Sequence, residues 1–127
     1  MSESDQMPGF IGLDHVVLRC NDLTAMLHFY QEVLGCNLER VTGQLHHLRA
    51  GTSLIDLIPQ TNGAKGQNMD HFCLRIEAPN WDQIKRHLSN HGVESSEPAP
   101  RFGAEGIGLS IYFEDPEGNQ LELKGPS

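Results

Sequence analysis

The sequence predicts an α+β domain built from one strand–helix–three-strand unit used twice, a pair of βαβββ modules. Three observations carry that prediction. An apolar stripe of helical period occurs twice, before Gly35 and before Gly92, each time after an alternating strand and ahead of further short strand-like segments. Each copy opens on a histidine, His15 or His71. Each also closes on a strand whose carboxylate, Asp56 or Glu122, lies between apolar residues that face the other way.

In the first copy, Asp14 to Cys20 alternates, with Val16 and Leu18 on one face and His15, Val17 and Arg19 on the other. Asn21-Asp22 supplies a helix cap, and Leu23, Leu27, Tyr30 and Leu34 recur at helical spacing until Gly35 stops the run. Three strands follow, Asn37 to Val41, Leu45 to Ala50 and Leu54 to Ile58, divided by Thr42-Gly43 and Gly51-Thr52. In the last of them Ile55 and Leu57 oppose Asp56. The polar stretch Pro59 to Asp70 lacks apolar period and reads as a linker.

The second copy repeats the first position by position. His71 to Ile76 sets Phe72 and Leu74 against His71, Cys73 and Arg75. Asn80 and Gln83 resemble a capping box for a helix whose stripe is Trp81, Ile84 and Leu88. Val93 to Ser96 and Leu109 to Phe113 read as strands around a Pro- and Gly-rich loop, Glu97 to Gly108, whose part from Arg101 to Gly108 is expected to act as a mobile lid. After the turn Asp115-Pro116-Glu117-Gly118-Asn119, the strand Gln120 to Lys124 alternates, placing Glu122 opposite Leu121 and Leu123. Two repeats are too few for a solenoid, so module one (about 11–60) and module two (about 70–125), joined by linker 59–70, are expected to share one domain after a flexible tail, 1–10.

Composition narrows the partners. Nine Lys and Arg against 17 Asp and Glu give a net charge of −8 with no basic cluster, which argues against nucleic acid. No apolar run reaches the roughly 18 residues of a membrane span, and the polar start lacks a signal-peptide pattern, so a cytoplasmic location is expected. The cysteines Cys20, Cys36 and Cys73 are odd in number and widely spaced, as free thiols would be.

Two imidazoles and two carboxylates at matched register, all on the face away from the helices, would converge if the sheets curve into an open barrel. Nitrogen and oxygen donors without thiolate suit Zn, Ni, Mn, Co or Fe(II), with open positions for water or substrate. Taken singly, each residue reads better as a solvated carboxylate or a satisfied histidine. The matched pairs favour a metal site.

The stretches His15-Val16-Val17-Leu18, Phe29-Tyr30-Gln31-Glu32-Val33-Leu34-Gly35, Asp70-His71-Phe72-Cys73-Leu74 and Phe113 to Leu123, with its Asp-Pro-x-Gly-Asn-x-x-Glu core, resemble the vicinal oxygen chelate superfamily. That superfamily includes glyoxalase I, bleomycin- and fosfomycin-resistance proteins and extradiol dioxygenases. The resemblance implies paired βαβββ modules around a cupped metal site, with His15, His71 and Glu122 at ligand positions. Asp56 falls where glyoxalase-like members carry a further carboxylate, usually Glu, and is one methylene shorter. It also implies a homodimer, because a cup can draw its modules from two chains.

The chemistry expected is that of a glyoxalase-like lyase or isomerase acting on a small molecule. A divalent ion polarises two neighbouring oxygens, and Glu122, or Asp56 if it is displaced from the metal, serves as general base. A thiol co-substrate such as glutathione is compatible with this. The alternatives are an extradiol-type dioxygenase on Fe(II), needing two His and one carboxylate, and a metal-independent drug-binding protein. Arg19 and Arg75 share the histidine face and are candidates to hold a substrate carboxylate, with a structural ion pair as the competing role. Arg101 and Glu105 in the loop are further substrate-contact candidates. His46 and His47 face opposite ways, and His47 reads as a surface residue that could line the pocket. His28, His87 and His91 read as solvent-facing helix residues.

Overall fold

The structure is a computed structural model that describes residues 12–60, 69 and 71–127. The expected tail, 1–10, and most of linker 59–70 lie outside the described residues. The first module runs β1 (His15–Cys20), α1 (Leu23–His28) continued by a π-helical turn (Phe29–Val33), β2 (Asn37–Thr42), β3 (Leu45–Ala50) and β4 (Ser53–Pro59). The second runs β5 (His71–Arg75), α2 (Trp81–Asn90), β6 (Ala99–Gly103), β7 (Gly106–Glu114) and β8 (Gln120–Lys124). Each module folds into one four-stranded mixed sheet, β1-β4-β3-β2 and β5-β8-β7-β6, with the same order in both copies. The first and last strands pair in parallel across the helical crossover, and the remaining pairs are antiparallel.

The duplication holds at the level of single residues. Val17 pairs with Asp56 as Cys73 pairs with Glu122, and His15 and His71 each sit one alternation earlier. On the opposite faces, Leu18, Ile55, Leu57 and Leu48 close against α1, while Ile111, Phe113, Leu121 and Leu123 join Leu88 of α2. Burying each such side chain contributes about 1.5–3 kcal/mol. Local signals start the helices as read: Asp22 caps α1 by accepting from Ala25 N, and Asn80 caps α2 by accepting from Gln83 N.

Two expectations about local structure are corrected. The fully buried side of the first helix is Met26, Phe29, Tyr30 and Val33, with Leu23, Leu27 and Leu34 only half-buried, so Tyr30 is shared with the expected stripe and the helix continues past His28 as a π-helical turn. Residues 93–96 form no strand. The segment read as a lid carries one instead: β6 pairs with β7 from Ala99↔Ser110 to Gly103↔Gly106, making a hairpin that its three glycines disguise in the sequence.

Side chains of the last turn hold the modules together. Glu117 accepts from the backbone N–H groups of Asn21 and Asp22 at 2.7 and 2.6 Å, just ahead of α1. Tyr30 donates to Asp115 Oδ2 at 2.8 Å, and Phe29 lies 6.4 Å from Phe113, ring centre to ring centre.

Candidate metal centre

Strand parity puts Glu122 on the sheet face away from α2, as β8 was expected to do. Its neighbours on that face come from the flanking strands, Cys73 on β5 and Tyr112 on β7. The carboxylate is 5% exposed, and both of its oxygens are engaged. Ser110 Oγ donates to Oε2 at 2.7 Å, while Oε1 faces His71 Nε2 at 3.2 Å. A buried carboxylate needs such partners, and here a serine orients one oxygen while the other meets an imidazole. The His71 ring also packs edge-on against Tyr112 at 5.8 Å. Burial first, and then the charge of Glu122, pushes the nearby Cys73 thiol up to about 11.

Asp56 occupies the equivalent place in the first sheet and is 3% exposed. His47, its cross-strand partner on β3, turns Nδ1 toward Asp56 Oδ1 at 2.8 Å, and its Nε2 lies 3.2 Å from Thr42 Oγ1. The shorter side chain is therefore held by an imidazole of its own sheet. His15, two residues before Val17, has Nδ1 bonded to Asp14 Oδ2 at 2.8 Å. That bond raises the His15 pKa above the ordinary histidine value; burial opposes it, and the charge of Asp56 adds to it.

The site thus comes as two half-sites, His71 with Glu122 and Ser110, and His15 near Asp56 with His47. They do not gather within one chain: among the described residues, no three His, Cys, Asp or Glu side chains are grouped to hold one ion. The donor chemistry suits a divalent cation, since both halves offer imidazole nitrogen and carboxylate oxygen.

The other expected residues surround these halves unequally. Arg75 pairs with Lys124 in register, and its Nε is 3.7 Å from Glu105 Oε1 across two exposed side chains. Arg101 lies over the Tyr112 ring at 5.6 Å, on the same face as Glu122. Arg19 is exposed beside Ile58. Sequence reasoning left His47 at the surface and passed over Ser110 and Lys124. His47 and Ser110 reach the site across a strand pair, so pairing register is the signal that would have found them, whereas Lys124 follows Glu122 by two residues on β8 and alternation alone puts it on that face. His87, read as solvent-facing, has Nε2 2.7 Å from Val33 O.

A family model described as the Glyoxalase/Bleomycin resistance protein/Dioxygenase superfamily matches residues 12–123, and the chain belongs to that family. It is 30% identical over 122 residues to the glyoxalase domain-containing protein RDO1 of Mycosarcoma maydis, a match covering 87% of this chain and 66% of that protein. The chain therefore spans just under two thirds of RDO1. It is also 30% identical over 119 residues to virulence protein STM3117 of Salmonella typhimurium, covering 87% of this chain and 81% of that one. The crystal structure of STM3117 superposes with a TM-score of 0.77 at 25% identity, covering 94% of this chain and all of the other, 100%. An integron cassette protein from the mobile metagenome of V. cholerae gives a TM-score of 0.78 at 28% identity, covering 96% of this chain and 100% of that one.

Proposed function

We propose that the protein is a metal-dependent lyase or isomerase of glyoxalase type, working as a homodimer in which His15 and Asp56 of one copy complete a site with His71 and Glu122 of the other. The observation that carries this reading is the His71–Glu122 contact at 3.2 Å, with Ser110 fixing the second carboxylate oxygen, at the same register as Asp56 in the first sheet. Among the described residues the two modules of one chain do not assemble a ligand set, and in this reading a second copy would supply the missing half. A divalent ion such as Zn, Ni, Mn, Co or Fe(II), held by these residues, would act as a Lewis acid on two adjacent oxygens of a small substrate.

The protein's own groups then handle the proton. A carboxylate oxygen of Glu122 or Asp56 takes it from the carbon next to the polarised oxygen and returns it to the neighbouring carbon. Ser110 keeps Glu122 in one rotamer, so the acceptor atom is aimed before substrate arrives. His47 does the same for Asp56. Apolar residues behind each carboxylate, Leu121 and Leu123 or Ile55 and Leu57, shut out water from the helix side.

One observation favours a second reading. Asp56 Oδ1 already has an imidazole partner, which leaves His15, His71 and Glu122 as a two-histidine, one-carboxylate set, the pattern of non-haem Fe(II) oxygenases. The deciding experiment has two stages. Elemental analysis of protein purified without added metal, followed by reconstitution with Ni, Zn, Mn, Co or Fe(II), is expected to give one ion per site. Failure to bind any of them overturns both readings in favour of a metal-independent binding protein. Loss of a methylglyoxal–glutathione hemithioacetal then identifies the lyase, and oxygen uptake with catechols identifies the oxygenase.

A further inference from the structure

Lys124 ends the strand that carries Glu122, on the same face, and is 3% exposed. Its Nζ is buried and, among the described residues, has no hydrogen-bond partner. Burying an ammonium ion costs several kcal/mol unless a counter-charge offsets it. The surroundings are shaped around this side chain. A Cβ on Gly103 would lie 2.8 Å from its Cε, so that strand glycine makes room for the lysine stem, while one on Gly108 would meet Pro126 O at 2.6 Å and Gly125 O at 2.8 Å before Nζ at 3.0 Å. A methionine or leucine would fill the same space without the charge, which points to the charge as the reason for the lysine.

Its neighbours on the sheet add to the same sign. Arg75 on β5 and Ser110 on β7 pair with Lys124 in register, and Arg101 is one step further along β6 on the same face. A chain with only nine basic residues and a net charge of −8 thus sets three of them on the face that holds Glu122. Among the described residues Arg75 meets the Glu105 carboxylate at 3.7 Å, and Arg101 donates to Pro100 O.

We propose that Lys124 anchors an oxyanion subsite in this cup, receiving a carboxylate or a phosphate-type group of the substrate with Arg75 beside it. Two residues of strand separate Lys124 from Glu122, about 7 Å, so the anion and the reacting oxygens belong to one small molecule a few bonds long. The substrate class is therefore an anionic compound bearing adjacent oxygens. Its second half rests on the metal-site reading given above; the anion subsite does not.

The test accordingly uses chelator-treated, metal-free protein. Acetate and inorganic phosphate, against chloride at equal ionic strength, are expected to raise the melting temperature of the wild type saturably. Whichever acts at lower concentration identifies the planar or the tetrahedral group. Lys124→Met is expected to melt no lower than wild type without anion and to need at least tenfold more anion for any response. In the wild type itself, the Lys124 Nζ resonance is expected to shift with acetate or phosphate and not with chloride. No saturable response, an equal response in Lys124→Met, an unmoved Nζ resonance, or a lower melting temperature of the variant without anion overturns the subsite. The last result would mean that the ammonium already has a protein partner. Metal affinity of Lys124→Met is expected to stay within twofold of wild type, so failure of the metal reading and failure of the subsite remain separable.

Discussion

The Tyr30 hydroxyl donates to Asp115 Oδ2 at 2.8 Å, joining the helical segment of the first module to the turn that precedes the Glu122 strand in the second. The same carboxylate accepts from the backbone N–H groups of Glu117 and Asn119 through Oδ1, and from Asn119 Nδ2 through Oδ2. Gly118 completes the turn at φ +83°, where a Cβ would be strained. One buried carboxylate therefore shapes the turn and fastens the two halves of the molecule.

Tyr30→Phe is expected to lower stability by about 1.5–3 kcal/mol, the usual range for a hydrogen bond to a charged group, because Asp115 keeps its charge and loses a donor. Urea denaturation measures the loss. Metal affinity is expected to be unchanged, since no candidate ligand touches Tyr30.

Glu122→Gln is expected to leave the fold intact by circular dichroism while metal occupancy and turnover collapse, because an amide is a weak ligand and cannot serve as a base. Ser110→Ala keeps the carboxylate but frees one oxygen, and is expected to weaken metal binding or turnover by about 10–100-fold. Wild-type turnover in Glu122→Gln would return that residue to a structural role.

Asp56 and His47 are expected to act as a unit. A double-mutant cycle of His47→Ala and Asp56→Ala on stability should show coupling of about 0.5–3 kcal/mol, the range for contacting residues. Strict additivity would mean that the 2.8 Å contact carries no energy.

The protein is expected to lose stability in alkali earlier than surface titration alone would cause. Burial, and then the charge of Glu117, raises Cys20 from 9.0 to about 12, and burial with the Asp115 charge pushes Tyr30 far above its ordinary value of 10.0. Both shifts are upward, so their stabilising effect is complete below pH 9 and declines as the unfolded chain begins to release protons that the folded chain keeps. Cys20→Ala should flatten the decline between about pH 9 and 12 in denaturation curves taken across that range.

Period-two alternation made the duplication and the four half-site residues legible, because the face a strand residue occupies depends only on its own neighbours in sequence. His15 and Asp56, like His71 and Glu122, lie on matched faces for that reason. The Asp56–His47 and Glu122–Ser110 contacts were not legible, since a cross-strand neighbour is set by pairing register, which no single segment contains. The β6–β7 hairpin was hidden by Gly103, Gly106 and Gly108, residues of poor strand propensity, of which Gly103 packs against the Lys124 side chain and Gly108 against the backbone carbonyls of Gly125 and Pro126. The π-helical turn was hidden because a single extra residue per turn leaves the apolar spacing nearly unchanged.

The turn from Asp115 to Asn119 also works as a phase marker for the strand that follows it. Because the turn is pinned to Tyr30 and to the start of α1 by Glu117, β8 cannot slide to absorb a change in length. Inserting one residue between Asn119 and Gln120 would exchange the two faces, sending Glu122 and Lys124 into the apolar layer and Leu121 and Leu123 onto the face away from α2. Changes in chain length here thus alter chemistry and core together, and this turn is where the two functions of the last strand are kept in step.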